Sequence, residues 1–194
     1  MYHSMKNLIR FFIMVLACLP AISWADDDKY LEGAVPEVDG KVVFSKEVDM
    51  QGIDQDAIYE YMYAWLDKRM KANNNVSRIV LAEKEKGQIV AVVEEYLVFT
   101  DNALSRDRAI MNYNIIISCS SGKYKLQIDR IRYNYEKDKY TAEEMIVDKV
   151  ALNKDKTAIF AGYKKFRINT IDFVNDMFEA IRTQAILNFS KLGG

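Results

Sequence analysis

The chain has 194 residues, half of them hydrophobic, with 27 Lys and Arg against 28 Asp and Glu and a net charge of −1. That is the composition of a folded domain with a proper core, not of a disordered chain. The charge balance argues against a nucleic-acid partner, because phosphate binding needs a basic surface or stripe.

Residues 1–25 read as a secretory signal peptide. Lys6 and Arg10 form the charged start, Phe11–Ile22 the apolar stretch, and Ser23-Trp24-Ala25 a small-x-small cleavage site. Cleavage after Ala25 removes both basic residues, so 25 Lys and Arg remain against 28 Asp and Glu, a net charge of −3. It also removes His3, the sole histidine. An exported protein without histidine lacks the commonest general base and the commonest metal ligand. The expected location is the periplasm or cell envelope. No catalytic residue, metal ligand or cofactor is predicted.

A lipid anchor is the minor alternative. Val15-Leu16-Ala17-Cys18 loosely resembles the box at which bacterial lipoproteins are cut and acylated on cysteine. Leu16 is bulky for that box, and the segment stays apolar through Trp24, which suits cleavage at Ala25 better. After cleavage there, Cys119 is the only cysteine, so no intramolecular disulfide can form. Cys119 ends the strand-like run Ile115–Cys119 and reads as a small buried hydrophobe. No second apolar run reaches the roughly 18–20 residues that span a bilayer, so the mature chain has no predicted transmembrane segment.

Asp26-Asp27-Asp28 reads as a solvated acidic lead-in, and residues 26–37, with Gly33 and Pro36, as an extended linker. A single domain is expected over residues 38–190. Lys41–Val48 alternates as a strand with Val42, Phe44 and Val48 on one face. Asp54 caps a helix over residues 54–71, whose stripe is Ile58, Met62, Trp65, Leu66, Arg69 and Met70. Tyr59, Tyr61 and Tyr63 flank it and suit packing on a sheet. Asn73-Asn74-Asn75 provides the stop.

Four strands follow: Val76–Ala82, Gln88–Phe99, Ala109–Ser120 and Lys123–Tyr135. Gln88–Phe99 is apolar in both phases, which predicts a central strand at least partly covered on both sides. Asp101–Asp107 reads as a loop. Its oxygen-rich trio Asp101, Asn102 and Asp107 does not match the spacing of a calcium loop. Ser121-Gly122 makes a tight hairpin. In the last strand the apolar phase moves from Tyr124, Leu126 and Ile128 to Ile131, Tyr133 and Tyr135, which predicts a bulge near Asp129-Arg130 or a bend there. Residues 136–169 read as irregular, with a short helix around Ala142–Val147. A final helix is predicted to start at Asn169 or Thr170, with Ile171, Val174, Met177, Phe178, Ile181 and Ala185 inward, and Leu187 and Phe189 extending the contact. The order β-α-β-β-β-β-α predicts an α+β fold: a five-stranded antiparallel sheet with two helices on one face. The second face is left open, or is partly covered by residues 136–169.

Three stretches carry a family resemblance: Val38–Lys46, Asp148–Lys154, and Lys165–Asp172 leading into the last helix. With them the chain resembles, over about residues 38–190, an exported bacterial domain-of-unknown-function family with a TATA-binding-protein-like (TBP-like) fold. The resemblance implies a signal peptide, a curved sheet and two helices. It supplies no activity and no site residues, and the name of the fold implies no DNA binding.

Chemistry must therefore come from the residues. Glu94-Glu95 is the one carboxylate pair within a strand, and strand neighbours point to opposite faces, so the two cannot act as paired acid and base. The face turned inward needs a cation, with Arg106, Arg108, Arg130 and Arg132 as candidates. A Ser triad has no His to use. The most suggestive cluster is Arg130, Arg132, Tyr133, Tyr135, Lys137, Lys139 and Tyr140; it suits a binding site on an open sheet face or a solvated edge strand. Asn112, Asn114, Arg130, Arg132, Tyr133 and Tyr135 are the candidate binding residues. The partner would be a protein, a peptide or a small ligand, with no reaction expected. The alternatives are an envelope-anchored structural lipoprotein held by Cys18 and, last, a hydrolase that works without His through two converging carboxylates.

Overall fold

The computed structural model describes residues 28–72, 76–102 and 105–190. The leader, Cys18, Asp26-Asp27, the Asn73–Asn75 stop and Gly193-Gly194 lie outside the described residues.

The described residues form one antiparallel sheet of seven strands, not five. In chain order these are β1 (Glu37–Val38), β2 (Lys41–Asp49), β3 (Arg78–Glu83), β4 (Gln88–Asn102), β5 (Ser105–Ser120), β6 (Lys123–Tyr135) and β7 (Asp138–Thr141). Their spatial order is β1-β2-β6-β5-β4-β3, and β7 pairs with β6 beyond the end of β2. The five long strands are those read from alternation. The two additions, β1 and β7, are too short to show a period.

Helices α1 (Gln55–Ala72) and α4 (Ala161–Ser190) pack on one face. Two single-turn helices, α2 (Ala142–Met145) and α3 (Asp148–Ala151), sit on the same side, where Met145, Ile146, Val147 and Ala151 are buried. Residues 136–169 are therefore ordered and leave the other sheet face open. Asp54 caps α1 as its sequence predicts, its Oδ1 accepting from the Ala57 amide at 2.8 Å. Helix α4 starts at Ala161, eight residues before Asn169, so Asn169 and Thr170 lie inside it. Its inward stripe holds every predicted residue from Ile171 to Ala185, plus Phe166, Arg167 and Thr170. Phe189 extends the contact onto Tyr61, centroids 5.5 Å apart, whereas Leu187 is 54% exposed.

The core lies between the helices and the inward phases of the strands. Ile89, Ala91, Val93, Ala109, Met111, Ile115, Ile117 and Ile128 are fully buried there. Each branched or aromatic side chain removed from water contributes about 1.5–3 kcal/mol. On the opposite phase of β4 cover is only partial: Val90 and Val92 are half-buried, while Tyr96 is 47% and Val98 45% exposed. The helix layer shields one face only.

Residues 28–37 are docked rather than linking. Tyr30 and Val35 are buried, and the Tyr30 hydroxyl donates to Asp172 Oδ2 at 2.7 Å. Asp101, Asn102 and Ser105–Asp107 are strand residues rather than loop, with Thr100 opposite Asp107, Asp101 opposite Arg106 and Asn102 opposite Ser105. No described helix is long and apolar enough to cross a membrane.

Candidate functional site

Antiparallel register turns alternation along each strand into rows across the open face. One row runs Glu94, Asn112, Arg132 and Thr141. The next runs Tyr96, Ile110, Asn134 and Lys139. On the other side lies Val92, Asn114, Asp129 and Val43.

Between Asp129 and Arg132 of β6 the register slips. Asn112 faces Arg132 and Asn114 faces Asp129, so Arg130 and Ile131 together oppose Tyr113. This is the bulge predicted from the phase change. It keeps both Ile128 and Ile131 in the core and brings Asp129, Arg130 and Arg132 to the same side of the sheet. Arg130 adopts a left-handed backbone, φ 51°. A non-glycine residue in that region is strained by about 1–3 kcal/mol and persists only where its surroundings hold it.

Two adjoining hollows flank the bulge on this face. One, of 390 Å³, is lined by Val92, Asn112, Tyr113, Asn114, Arg130, Arg132, Asn134 and Lys139. The other, of 510 Å³, is lined by Val38, Asp39, Lys41, Val43, Asp129, Arg130, Ile131, Arg132, Thr141 and Glu143. Arg130 and Arg132 stand in both, so the hollows form one trough. Their electrostatics differ. The smaller holds three cations and no carboxylate, whereas the larger mixes both signs. In the larger, Asp129 Oδ2 accepts from Gln127 Nε2 at 3.1 Å, while Oδ1 is buried without a partner among the described residues.

The structure brings together four of the six candidate residues, Asn112, Asn114, Arg130 and Arg132. Tyr133 and Tyr135 are corrections. Both point to the helix side, because the alternation that exposes Arg132 turns its neighbours inward. Tyr133 is fully buried. Its hydroxyl shares a hydrogen bond with Thr170 Oγ1 at 2.8 Å, and its ring meets Phe166 at 5.1 Å. Burial pushes its phenol pKa up. Tyr135 accepts from Lys165 Nζ at 2.7 Å and packs edge-on against Phe99 and Phe166. Tyr140 joins the same aromatic group. Asn134 is the residue that sequence reasoning missed, although it shares a phase with Arg132.

Tyr133→Phe tests this inward role. It leaves Thr170 Oγ1 buried without its partner and is expected to cost about 1–2 kcal/mol, lowering the melting temperature by roughly 2–8 °C. Tyr133→Phe with Thr170→Val removes both partners and should recover part of the loss. A single variant as stable as the parent in thermal unfolding would contradict the buried bond.

The remaining candidate groups have structural partners. Glu95 faces α1 and takes Arg69 Nη2 at 2.6 Å, so its cation is Arg69, none of the four arginines expected. Glu94 sits on the open face, and the two carboxylates do not converge. Asp107 binds Lys165 Nζ at 3.0 Å and Asp101 binds Arg106 at 3.3 Å. No group of three metal-ligating side chains occurs among the described residues. Cys119 is buried, and desolvation pushes its thiol pKa up to about 12.

A layered α+β protein with one bare sheet face and the TBP-like fold is the class this architecture defines. Residues 44–134 match the family described as "Domain of unknown function (DUF4468) with TBP-like fold". The chain is similar to a DUF4468 family protein of known structure from Bacteroides ovatus ATCC 8483: 50% identity, TM-score 0.76, covering 79% of this chain and 91% of that one. It is also similar to a TBP-like protein from Parabacteroides distasonis ATCC 8503, at 25% identity and TM-score 0.64, covering 76% and 94%. The chain belongs to the DUF4468 family. No curated protein matches it.

Proposed function

We propose that this protein is a non-catalytic binding or accessory module that acts outside the cytoplasm and takes its ligand on the helix-free face of the sheet. One observation carries this reading. Asn112, Asn114, Arg130 and Arg132 come from two strands and gather around a single 390 Å³ hollow on a face that no helix covers among the described residues. That volume is in the range of about 300–1,000 Å³ usual for ligand sites. A strained arginine at a bulge beside it fits a pattern in which bulges re-aim side chains near sites.

The test compares the parent with Asn112→Ala/Arg132→Ala/Asn134→Ala against immobilised peptides, sugars and small organic acids. All three residues lie outside the core, so the variant should keep its fold, checked by circular dichroism. Ligands held by the parent should be lost from the variant; equal retention would move the site elsewhere. Export rests on the leader read in residues 1–25, and the mature chain in cells should begin at Asp26 by mass spectrometry. An intact leader would remove the extracytoplasmic part of the proposal.

A further inference from the structure

Resting on the binding face just proposed, we infer that the 390 Å³ hollow is a site for a small carboxylate that also bears hydroxyl groups, an acidic sugar being the simplest example. The hollow's charge is one-sided: Arg130, Arg132 and Lys139 line it and no carboxylate does. These cations are also uncommitted. Arg69, Lys165 and Arg167, on the helix side, are each within 3.0 Å of a carboxylate oxygen. Arg130, Arg132 and Lys139 make no ion pair among the described residues. Like charges left unpaired in a concavity focus a field that attracts anions. Two guanidinium forks match the planar geometry of a carboxylate, which an ammonium cannot grip in the same way.

The other polar groups in the hollow narrow the ligand. Asn112, Asn114 and Asn134 each offer an amide that both donates and accepts, the complement of a hydroxyl. Asn112 lies directly across the strands from Arg132, so a hydroxyl next to the carboxylate has an amide at hand. A protein partner fits less well. Interfaces are anchored by large apolar or aromatic groups in desolvated pockets; here the lining has only Val92 and Tyr113 of that kind, and the Tyr113 ring is buried against Phe173 on the helix side. The net charge of −1 disfavours a nucleic acid.

The test titrates the full, isotopically labelled chain with glucuronate, and in parallel with glucose and inorganic phosphate, following the Asn side-chain amide signals by NMR. Glucuronate should shift Asn112, Asn114 and Asn134 saturably, and added salt should weaken it. Glucose should cause no such shift. Arg132→Gln should weaken glucuronate by about tenfold or more. Lys139→Gln, at an exposed strand position, should weaken it less and guards against a folding defect in the first variant. Phosphate binding as tightly as glucuronate, or no loss in Arg132→Gln, would overturn the carboxylate assignment. Glucose binding equally at these amides would overturn it too, yet keep the open face as a binding surface. Shifts confined to α1 and α4 would remove both.

Discussion

Replacing Arg167 by Ala is expected to destabilise the protein by about 3–5 kcal/mol, the usual cost of breaking a buried ionic network by removing one partner. Arg167 is fully buried in α4, yet every arm of its guanidinium is satisfied. Nε donates to the Tyr30 carbonyl at 2.6 Å, Nη1 to the Ile146 carbonyl, and Nη2 to the Leu31 carbonyl at 2.6 Å and to Asp148 Oδ1 at 2.7 Å. Asp148 in turn accepts from the Gly33 amide through Oδ2 at 2.8 Å. One side chain thus ties residues 30–33 and 146–148 to the long helix. Truncation strands three carbonyls and a carboxylate, each of which costs about 1–3 kcal/mol when left unmade. Arg167→Lys should fail almost as badly, because a point ammonium cannot reach acceptors spread around a planar fork. Urea unfolding of both variants provides the measurement. A loss below about 1 kcal/mol for Arg167→Ala would show that the network is not closed as described.

This network explains why part of the fold was hidden from the sequence. Strands β2 to β6 and helix α1 announced themselves because their apolar residues repeat at two or at three to four. Helix α4 did not announce its start. Arg167 and Thr170 occupy inward positions but are polar, so the stripe seemed to begin at Ile171. Residues 28–37 bury Tyr30 and Val35 in the core with Ala34 half-buried against it, too few to show a period, and their docking depends on an arginine some 137 residues away in sequence. The same limit applies to Glu95, whose partner Arg69 lies on a helix 26 residues before it. Pairings of this kind are properties of the assembled layers.

The candidate site was legible to the extent that it obeyed alternation. Asn112 and Asn114 share a phase, and the phase slip in β6 placed Arg130 and Arg132 beside them. Grouping Tyr133 and Tyr135 with the arginines ignored that same alternation, and composition overrode geometry. Lys139 reaches the hollow only because β7 folds back onto β6, pairing Asn134 with Lys139, and four residues are too few to show a strand.

Gly87→Ala is the second large effect, expected at about 2–5 kcal/mol. Gly87 closes the turn between β3 and β4 with φ 64°, a conformation that costs an L-residue roughly 1–2 kcal/mol. Space is the greater constraint. A Cβ there would lie 2.1 Å from the Cys119 carbonyl oxygen and 3.3 Å from Gln55 Cδ. The first is a backbone atom and cannot rotate away, and the Cys119 amide donates to the Gly87 carbonyl at 2.7 Å, so the two chains are held together where the methyl would sit. Separating them adds an overpacking cost of about 1–3 kcal/mol. Gly52→Ala supplies the control. Gly52 has φ 80° and nothing within 4 Å of its Cβ position, so that variant bears the dihedral cost alone. In urea unfolding, Gly87→Ala should therefore exceed Gly52→Ala by about 1–3 kcal/mol. Hydrogen exchange at the Cys119 amide should rise in Gly87→Ala and stay unchanged in Gly52→Ala, since only the first forces that bond apart. Equal losses in the two variants would mean that the backbone contact beneath β5 yields freely, and the close approach at Gly87 would then place no demand on the residue.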